Sequence, residues 1–522
     1  MTLPALLAGA VERGGDDLAV VDGEVRLTYR ELHDASRTFG AALVAAGVVP
    51  QDRVAIWVPN CAEWIVAALG LWQAGATLVP INTRFKGPEA AVLLQRSRAR
   101  VLVTVTDFLD TDHLAMLESA GAALPDLETL VVAKGPAHGS SEGWDAFAAR
   151  ATDDGRAEVD RRAGAVADDD PSDLLFTSGT TGTPKGVVMT HGRTERVATD
   201  WVAMTGLRAG DRYLMVNPYF HMFGLKAGIL ASVAAGATML PEPVFDAGRA
   251  LARVAAEGVT VLPGAPTLYQ SILDHPDRDG HDLSSLRVAV TGAADIPVRL
   301  IERIRAELPF SVVVTGYGLT EAGTASATSP DDDPETVATT VGRARPGFEL
   351  RIVDGDRDVP IGEPGEVVLR GPSVMAGYLD DPEATAEVLS PDGWLRTGDL
   401  GVLDDQGNLR IVGRSKDMFI VGGFNAYPAE IEDALLGHPE VQQVAVIGIP
   451  DERLGEVGMA FVVTSSTDPG VGDTILAWAK DQMANYKVPR RIELVAELPV
   501  NATGKVVKDE LRARVVRAPG PC

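Results

Sequence analysis

Phe176 to Gly186 reads FTSGTTGTPKG, with three glycines, a proline and a row of hydroxyls around one lysine. That composition suits neither a packed strand nor a regular helix, but it suits an anion. Glycines let backbone N–H groups approach a phosphate closely, serine and threonine hydroxyls add donors, and Lys185 adds a fixed positive charge. The spacing therefore predicts a phosphate cradle. It is not a Walker A loop, which sets Ser or Thr directly after its lysine to hold magnesium, because Lys185 is followed by Gly186. A metal ligand must come from elsewhere in the chain. Taken alone the segment also fits an ordinary surface loop, so its use depends on what the rest of the chain brings to it.

The elements around it alternate regularly. From Thr28, LTYRELHDASRTFGAALVAAGV carries apolar residues at helical spacing, RVAIWVPN reads as a buried strand, CAEWIVAALGLWQAGA as a helix and TLVPI as a strand. GPEAAVLLQRSRA and RVLVTV continue the series, which predicts βαβ units on a largely parallel sheet. A second series from about Asp211 to Leu319 has strands at YLMVNP, VTVLPG, LRVAVTG and SVVVTGYG, so two related α/β layers are expected. After Pro330 the style changes to short strands, ELRIVD, GEVVLRG and GNLRIVGR, separated by Asp, Gly and Pro turns, the pattern of a small β-rich subdomain. Beyond GRSKDM the chain reads as a compact α+β unit. The expected fold is an α/β N-terminal domain over 1–413, built from two sheet subdomains and the β-rich piece, a hinge at 414–416, and a small mobile α+β domain over 417–522.

At 522 residues the chain exceeds one hydrophobic core. With 46% hydrophobic and 23% charged residues it should fold as a globular protein. Acidic residues outnumber basic ones 73 to 47, a formal net charge of −26 that repels nucleic acid and anionic lipid, so neither is an expected partner. Cys61 and Cys522 are the only cysteines, too few for a disulfide framework or a cysteine metal site, and a reducing cytoplasm is expected. The start of the chain lacks a basic lead and a cleavage site, and the longest uncharged run, from Ala227, is too short to span a membrane. The acidic clusters ADDDP and PDDDPE read as exposed loops rather than metal cages.

Five segments, FTSGTTGTPKGVVMTH, GYGLTEAG, WLRTGDLG, GRSKDMFIVGGFNAYPAEIE and NATGKVVK, occur in the order found in the adenylate-forming superfamily of acyl-CoA synthetases, luciferases and peptide-synthetase adenylation domains, and the chain resembles that superfamily from about Thr28 to Arg512. The resemblance implies that Thr177, Ser178, Gly179, Thr180, Thr181, Gly182 and Lys185 grip the β- and γ-phosphates of ATP. It makes Glu321 the Mg²⁺ carboxylate, a hard oxygen ligand of the kind a phosphate-bridging metal requires. Thr320 would bond the α-phosphate, Tyr317, with Gly318 beside it, would lie against adenine, and the backbone of Gly292, Ala293 and Ala294 would run along the nucleotide. Asp295 stands where many relatives carry proline. Asp399 would take both ribose hydroxyls, a bidentate task that suits two acceptor oxygens, with Arg414 as its phosphate-side neighbour.

His221, in NPYFHMFGLKAG, resembles the aromatic gate near the reacting carboxylate, with Phe220, Met222, Phe223, Gly224 and Lys226 shaping the acyl pocket. Its expected role is positioning, because a carboxylate nucleophile is already ionised at neutral pH and needs no base. Lys505 resembles the lysine that reaches the carboxylate and α-phosphate from the small domain, where a positive charge offsets their repulsion. Lys416 falls at the family's hinge position, and Gly422, Gly423 and Phe424 resemble the wall of a tunnel for the thiol arm of coenzyme A.

The implied activity is that of an AMP-forming acid–thiol ligase, in which a carboxylate attacks the α-phosphate of MgATP to give an acyl-adenylate and the thiol of CoA then displaces AMP. Within the superfamily the segments from Asp211 to Val298 are similar to an actinobacterial ligase group that acts on a steroid-derived indanedione propanoate, so a medium-chain or steroid-ring-derived propanoate is the expected acid. A homodimer is compatible with this reading. Two rivals stand beside it. One is an acyl-AMP ligase that loads a carrier protein, and the other is a noncatalytic ATP- or AMP-binding relative.

Overall fold

The computed structural model describes residues 1–522 apart from 178–183, 293–297, 415–416, 422–423, 452, 484, 502–504 and 518–522. Two large sheets and two small ones are present among the described residues. The first large sheet runs in the order 377–378, 185–190, 171–177, 77–80, 53–57, 101–105, 129–134, 142–143. Its strands are parallel from Pro171–Thr177 outward to the last, and Lys185–Thr190 folds back antiparallel on Pro171–Thr177. The second runs 343–344, 323–327, 312–319, 288–291, 261–264, 212–215, 238–241, 18–22, 25–28. One part of it departs from the expected order. Leu18–Asp22, which precedes the first alternating series, crosses to pair in parallel with Thr238–Pro241 of the second sheet, so the two layers are tied by the start of the chain.

Strands buried on both faces read as near-continuous apolar runs, and Val101–Val105, Thr238–Pro241, Val261–Gly264 and Val288–Thr291 are buried at every position with no polar side chain other than threonine. The helix Ala62–Gln73 is likewise buried along its length, with Trp64 and Trp72 at 0% and 1% exposure, as a helix apolar on all sides should be. It packs on Tyr29–Ala45, whose start is set by a capping box: the Thr28 hydroxyl accepts from the Glu31 amide and the Glu31 carboxylate accepts from the Thr28 amide.

The β-rich piece is a five-stranded antiparallel sheet spanning residues 349–414. The C-terminal unit has its own five-stranded sheet, centred on Gln443–Asp451 and Gly455–Val463, and its own core around Phe419, Ile431, Leu435, Val446 and Ile475. A large N-terminal α/β domain followed by a small C-terminal domain is thus the architecture. No helix among the described residues is long and apolar enough to cross a membrane.

One buried titratable group in this scaffold makes stability depend on pH. His191 opens the helix His191–Thr205 at 1% exposure, its Nδ1 accepts from the Leu3 amide at 3.3 Å, and burial pulls its pKa down to about 4. An unfolded histidine takes its proton near pH ~6.5. Between those values the unfolded chain binds more protons, so stability falls as pH is lowered from about 6.5 to 4, by up to about 3 kcal/mol for this ring. Glutamine keeps an acceptor for the Leu3 amide but does not titrate. His191→Gln should therefore flatten the stability profile across that window, measured as melting midpoint against pH, and an unchanged slope would exclude the ring as its source.

Candidate active site

The candidates of the two large sheets, Thr177, Lys185, His221, Gly292, Tyr317, Thr320 and Glu321, follow the carboxyl ends of parallel strands, where open α/β sheets bind ligands, whereas Asp399 and Arg414 lie on the β-rich sheet and Phe424 and Lys505 in the C-terminal unit. Thr177 ends Pro171–Thr177 and Lys185 begins Lys185–Thr190, and the two face each other across the antiparallel ladder. Ser178, Gly179, Thr180, Thr181 and Gly182 lie outside the described residues, as do Ala293, Ala294, Asp295, Lys416, Gly422 and Gly423.

Val312–Leu319 leads into the turn that carries Thr320 and Glu321, both half-buried, and returns as Gly323–Ala327. The turn needs glycine. A Cβ on Gly318 would stand 2.4 Å from the Gly323 carbonyl oxygen, so the two strands could not close with a side chain there. Glu321 accepts a hydrogen bond at 3.1 Å from the hydroxyl of Tyr378, and the ammonium of Lys185 lies 5.0 Å from the centre of the same ring. The expected metal carboxylate and the expected phosphate lysine, 136 positions apart by their numbers, thus meet at one tyrosine. A single carboxylate beside a phosphate cradle is a donor set that fits a magnesium ion carried mainly by the phosphates of its substrate. Among the described residues there is no group of three or more His, Cys, Asp or Glu that could cage an ion.

Tyr317 projects from the same strand to a second centre. Its hydroxyl donates to Asp399 Oδ2 at 2.6 Å, and Asp399 is buried at 6% exposure on Leu395–Leu403. Asp399 pairs across the ladder with Arg414, whose backbone ends Leu409–Arg414. An aromatic ring, a buried carboxylate and the end of a β-rich strand therefore converge where a base and a ribose would be bound. Gly292 follows Val288–Thr291 and lies against the Gly316 carbonyl, bringing the start of TGAAD beside the Tyr317 strand.

His221 caps the short helix Met222–Gly224, its Nδ1 accepting from the Phe223 amide at 3.2 Å. Although part of the ring is accessible, burial lowers its pKa to about 4. The ring is then neutral near pH 7, with Nδ1 occupied and the proton on Nε2. It offers an N–H and not a base. A Cβ on Gly224 would stand 2.2 Å from the Pro218 carbonyl oxygen, so the loop folds back on its own backbone only with glycine there. Asn60, which sequence reasoning missed, fixes that loop from the other sheet. Its amide donates to the carbonyls of Met215 at 2.8 Å and Asn217 at 2.9 Å, and its oxygen accepts from the Tyr219 amide at 2.9 Å. An asparagine directly after a predicted strand, in VPNCAEW, was the available signal.

Lys226 does not line the pocket as expected. It lies in a stretch of π-helix, Leu225–Leu230, fully buried, with its Nζ 2.8 Å from Asp173 Oδ1. The approach is charge to charge, outside the direction of a hydrogen bond. Asp173 Oδ2 accepts from the hydroxyls of Ser172 at 2.6 Å and Thr194 at 2.7 Å. A lysine inside a packed core needs such a carboxylate, which is why the side chain turns inward.

Between the two large sheets opens a cavity of about 570 Å³, lined among others by Asn60, Arg84, Lys86, His113, Asn217 and Phe220. Arg84 also reaches the C-terminal unit, where its guanidinium stands 3.4 Å from the Asn501 carbonyl. Asn501 and Lys505 are bonded to each other: the Asn501 amide donates to the Lys505 carbonyl at 2.8 Å and the Lys505 amide to Asn501 Oδ1 at 2.9 Å. Arg84 thus links the cavity lining to the residue that bonds Lys505. Phe424 lies on Phe424–Ala426, paired with Phe419–Val421.

Residues 7–379 match the family described as AMP-binding enzyme, and residues 430–505 match the AMP-binding enzyme C-terminal domain. The chain is 51% identical over 518 residues to a 3-[(3aS,4S,7aS)-7a-methyl-1,5-dioxo-octahydro-1H-inden-4-yl]propanoyl:CoA ligase of Rhodococcus jostii, covering 98% of each protein. It is 49% identical over 516 residues to the ligase of the same description in Mycobacterium tuberculosis, again covering 98% of each. Among solved structures, an anthranilate CoA ligase in complex with anthranoyl-AMP superposes with a TM-score of 0.89 at 30% identity, covering 98% of this chain and 97% of the other.

Proposed function

This chain belongs to the AMP-binding enzyme family and is an ATP-dependent acyl-CoA ligase, and from that premise we propose that its acid is a propanoate borne on a fused, methylated dione ring, activated and thioesterified at one site. The acid follows the two relatives that share about half of all residues along the whole chain. One observation carries the site. Tyr317 and Glu321, on a single strand and the turn after it, reach Asp399 directly and Lys185 through Tyr378, and the cavity is lined by the segment up to Phe220, next to His221.

In the first step the phosphate loop and Lys185 hold the β- and γ-phosphates, Asp399 holds the ribose, and Thr320 and Lys505 flank the α-phosphate. The carboxylate oxygen bonds the α-phosphorus as its bond to the β-phosphate breaks and pyrophosphate leaves, and Glu321 would hold a magnesium ion that neutralises phosphate charge. Neutral His221 positions the acid from the cavity side and takes no proton. In the second step residues 417–522 swing about 414–416, Lys505 withdraws, and Gly422 and Gly423 line a passage for the thiol, which attacks the acyl carbon, gives up its proton and expels AMP. Both cosubstrates are cytoplasmic metabolites, which supports a cytoplasmic enzyme.

On a chain of net charge −26, Arg84 and Lys86 place two exposed cations on the cavity rim, which supports their use as a landing point for CoA phosphates. Arg84→Ala should raise the KM for CoA about tenfold, the loss of one charge-assisted contact, with ATP–pyrophosphate exchange little changed. An equal rise in the KM for ATP would argue against this placement. The reading as a whole is tested by a panel of acids, from short fatty acids to bicyclic dione propanoates, assayed for AMP release with and without CoA. Strongest turnover with the bicyclic acids, and only with CoA present, is expected. Equal release with a carrier protein in place of CoA would favour the loading ligase instead.

A further inference from the structure

Tyr378 belongs to neither the expected site nor the cavity, yet it touches both ends of the phosphate machinery. Its two-residue strand, Gly377–Tyr378, is the edge of the first sheet and pairs with Val187 and Val188, just beyond the phosphate loop. The backbone around it is held at five points. The Ala376 amide donates to the Val188 carbonyl at 2.9 Å and the Leu379 amide to the Gly186 carbonyl at 2.7 Å. The Met375 amide donates to the Glu321 carbonyl at 2.6 Å, the Tyr378 amide to the Thr385 hydroxyl at 2.8 Å, and the Ser373 hydroxyl to the Ala322 carbonyl at 2.7 Å. Residues 373–379 are thus a strap between the strand that begins at Lys185 and the turn that carries Glu321. The ring packs against the apolar cluster that contains Val187, Met189 and Met375.

From this placement, with the hydroxyl 3.1 Å from Glu321 Oε1 and the Lys185 ammonium 5.0 Å from the ring centre, we propose that Tyr378 is a positioning residue that aims the metal carboxylate and the phosphate lysine at one polyphosphate. The hydroxyl restrains the rotation of the Glu321 carboxylate, and the ring holds Lys185 by cation–π attraction. The proposal rests on Glu321 being the metal ligand.

The two contacts separate by substitution. Tyr378→Phe keeps the ring and removes the hydroxyl, so the affinity for Mn²⁺ in the presence of ATP and absence of acid, read by electron paramagnetic resonance, should weaken about tenfold. Calorimetric affinity for ATP in chelator, which depends on Lys185 and not on the metal, should stay within about twofold. Tyr378→Leu should weaken the metal similarly and the metal-free nucleotide about threefold in addition. A residue that only supported the fold would move both affinities together in the phenylalanine variant, and that result overturns the proposal. Glu321→Gln is the control. If it leaves Mn²⁺ binding intact, the assignment of Glu321 fails. If it weakens binding while Tyr378→Phe does not, Tyr378 has no such role. In the Glu321→Gln background, Tyr378→Phe should add nothing, and a further full tenfold loss there would also refute the link through the carboxylate.

Discussion

Lys505→Ala is expected to slow ATP–pyrophosphate exchange about a thousandfold, roughly 4 kcal/mol of barrier, while thioester formation from supplied acyl-adenylate stays within about threefold. Lys505 is exposed and its amide and carbonyl are bonded to Asn501, so alanine removes the charge and leaves those two bonds in place. That charge is needed only while a carboxylate approaches a polyphosphate, because both partners are anionic and the α-phosphate gains negative charge as the new bond forms. Once AMP is the leaving group and a thiol the nucleophile, the repulsion is gone. Rates of the two half-reactions, measured separately, decide the matter. Equal losses in both would mean that Lys505 supports the fold or serves both steps, and the swing of residues 417–522 would lose its rationale.

The second large effect concerns stability. Asp173→Asn or Lys226→Met should each destabilise the N-terminal domain by about 3–5 kcal/mol, because each leaves one member of a fully buried ion pair uncompensated. For a domain of this size that corresponds to a fall of roughly 5 °C in melting midpoint. Joint replacement by Leu at 173 and Met at 226 should recover at least half of the loss, since neither charge then remains. Recovery stays incomplete because the Ser172 and Thr194 hydroxyls lose their shared acceptor. A double variant as unstable as the singles would show that the loss arises from packing and not from charge. The pair also has a place in the chemistry: Asp173 lies on the strand that feeds the phosphate loop and Lys226 on the π-helix behind His221. Breaking it should disturb nucleotide and acid binding together, which distinguishes it from Arg84→Ala.

Much of this molecule was legible along the chain. Alternation of buried strands with amphipathic helices placed RVAIW, TLVP, VLVTV and VAVT correctly, because strand and helix periods are local properties of backbone geometry. Five ordered motifs disclosed the superfamily, since a phosphate cradle, a hard carboxylate and a ribose acceptor must each keep its residue type wherever the chain folds. Local pattern carries no information about which distant segments meet. Nothing in GYLDDP marks Tyr378 as the neighbour of Lys185 and Glu321, and VPNCAEW does not say that Asn60 grips the loop before His221. Lys226 looked like a pocket residue because it follows the gate by five positions, yet a π-helical turn and a carboxylate on another strand draw it into the core. Those pairings follow from sheet order, including the crossover of Leu18–Asp22, and from the rule that a charge removed from water must find its partner wherever the fold provides one.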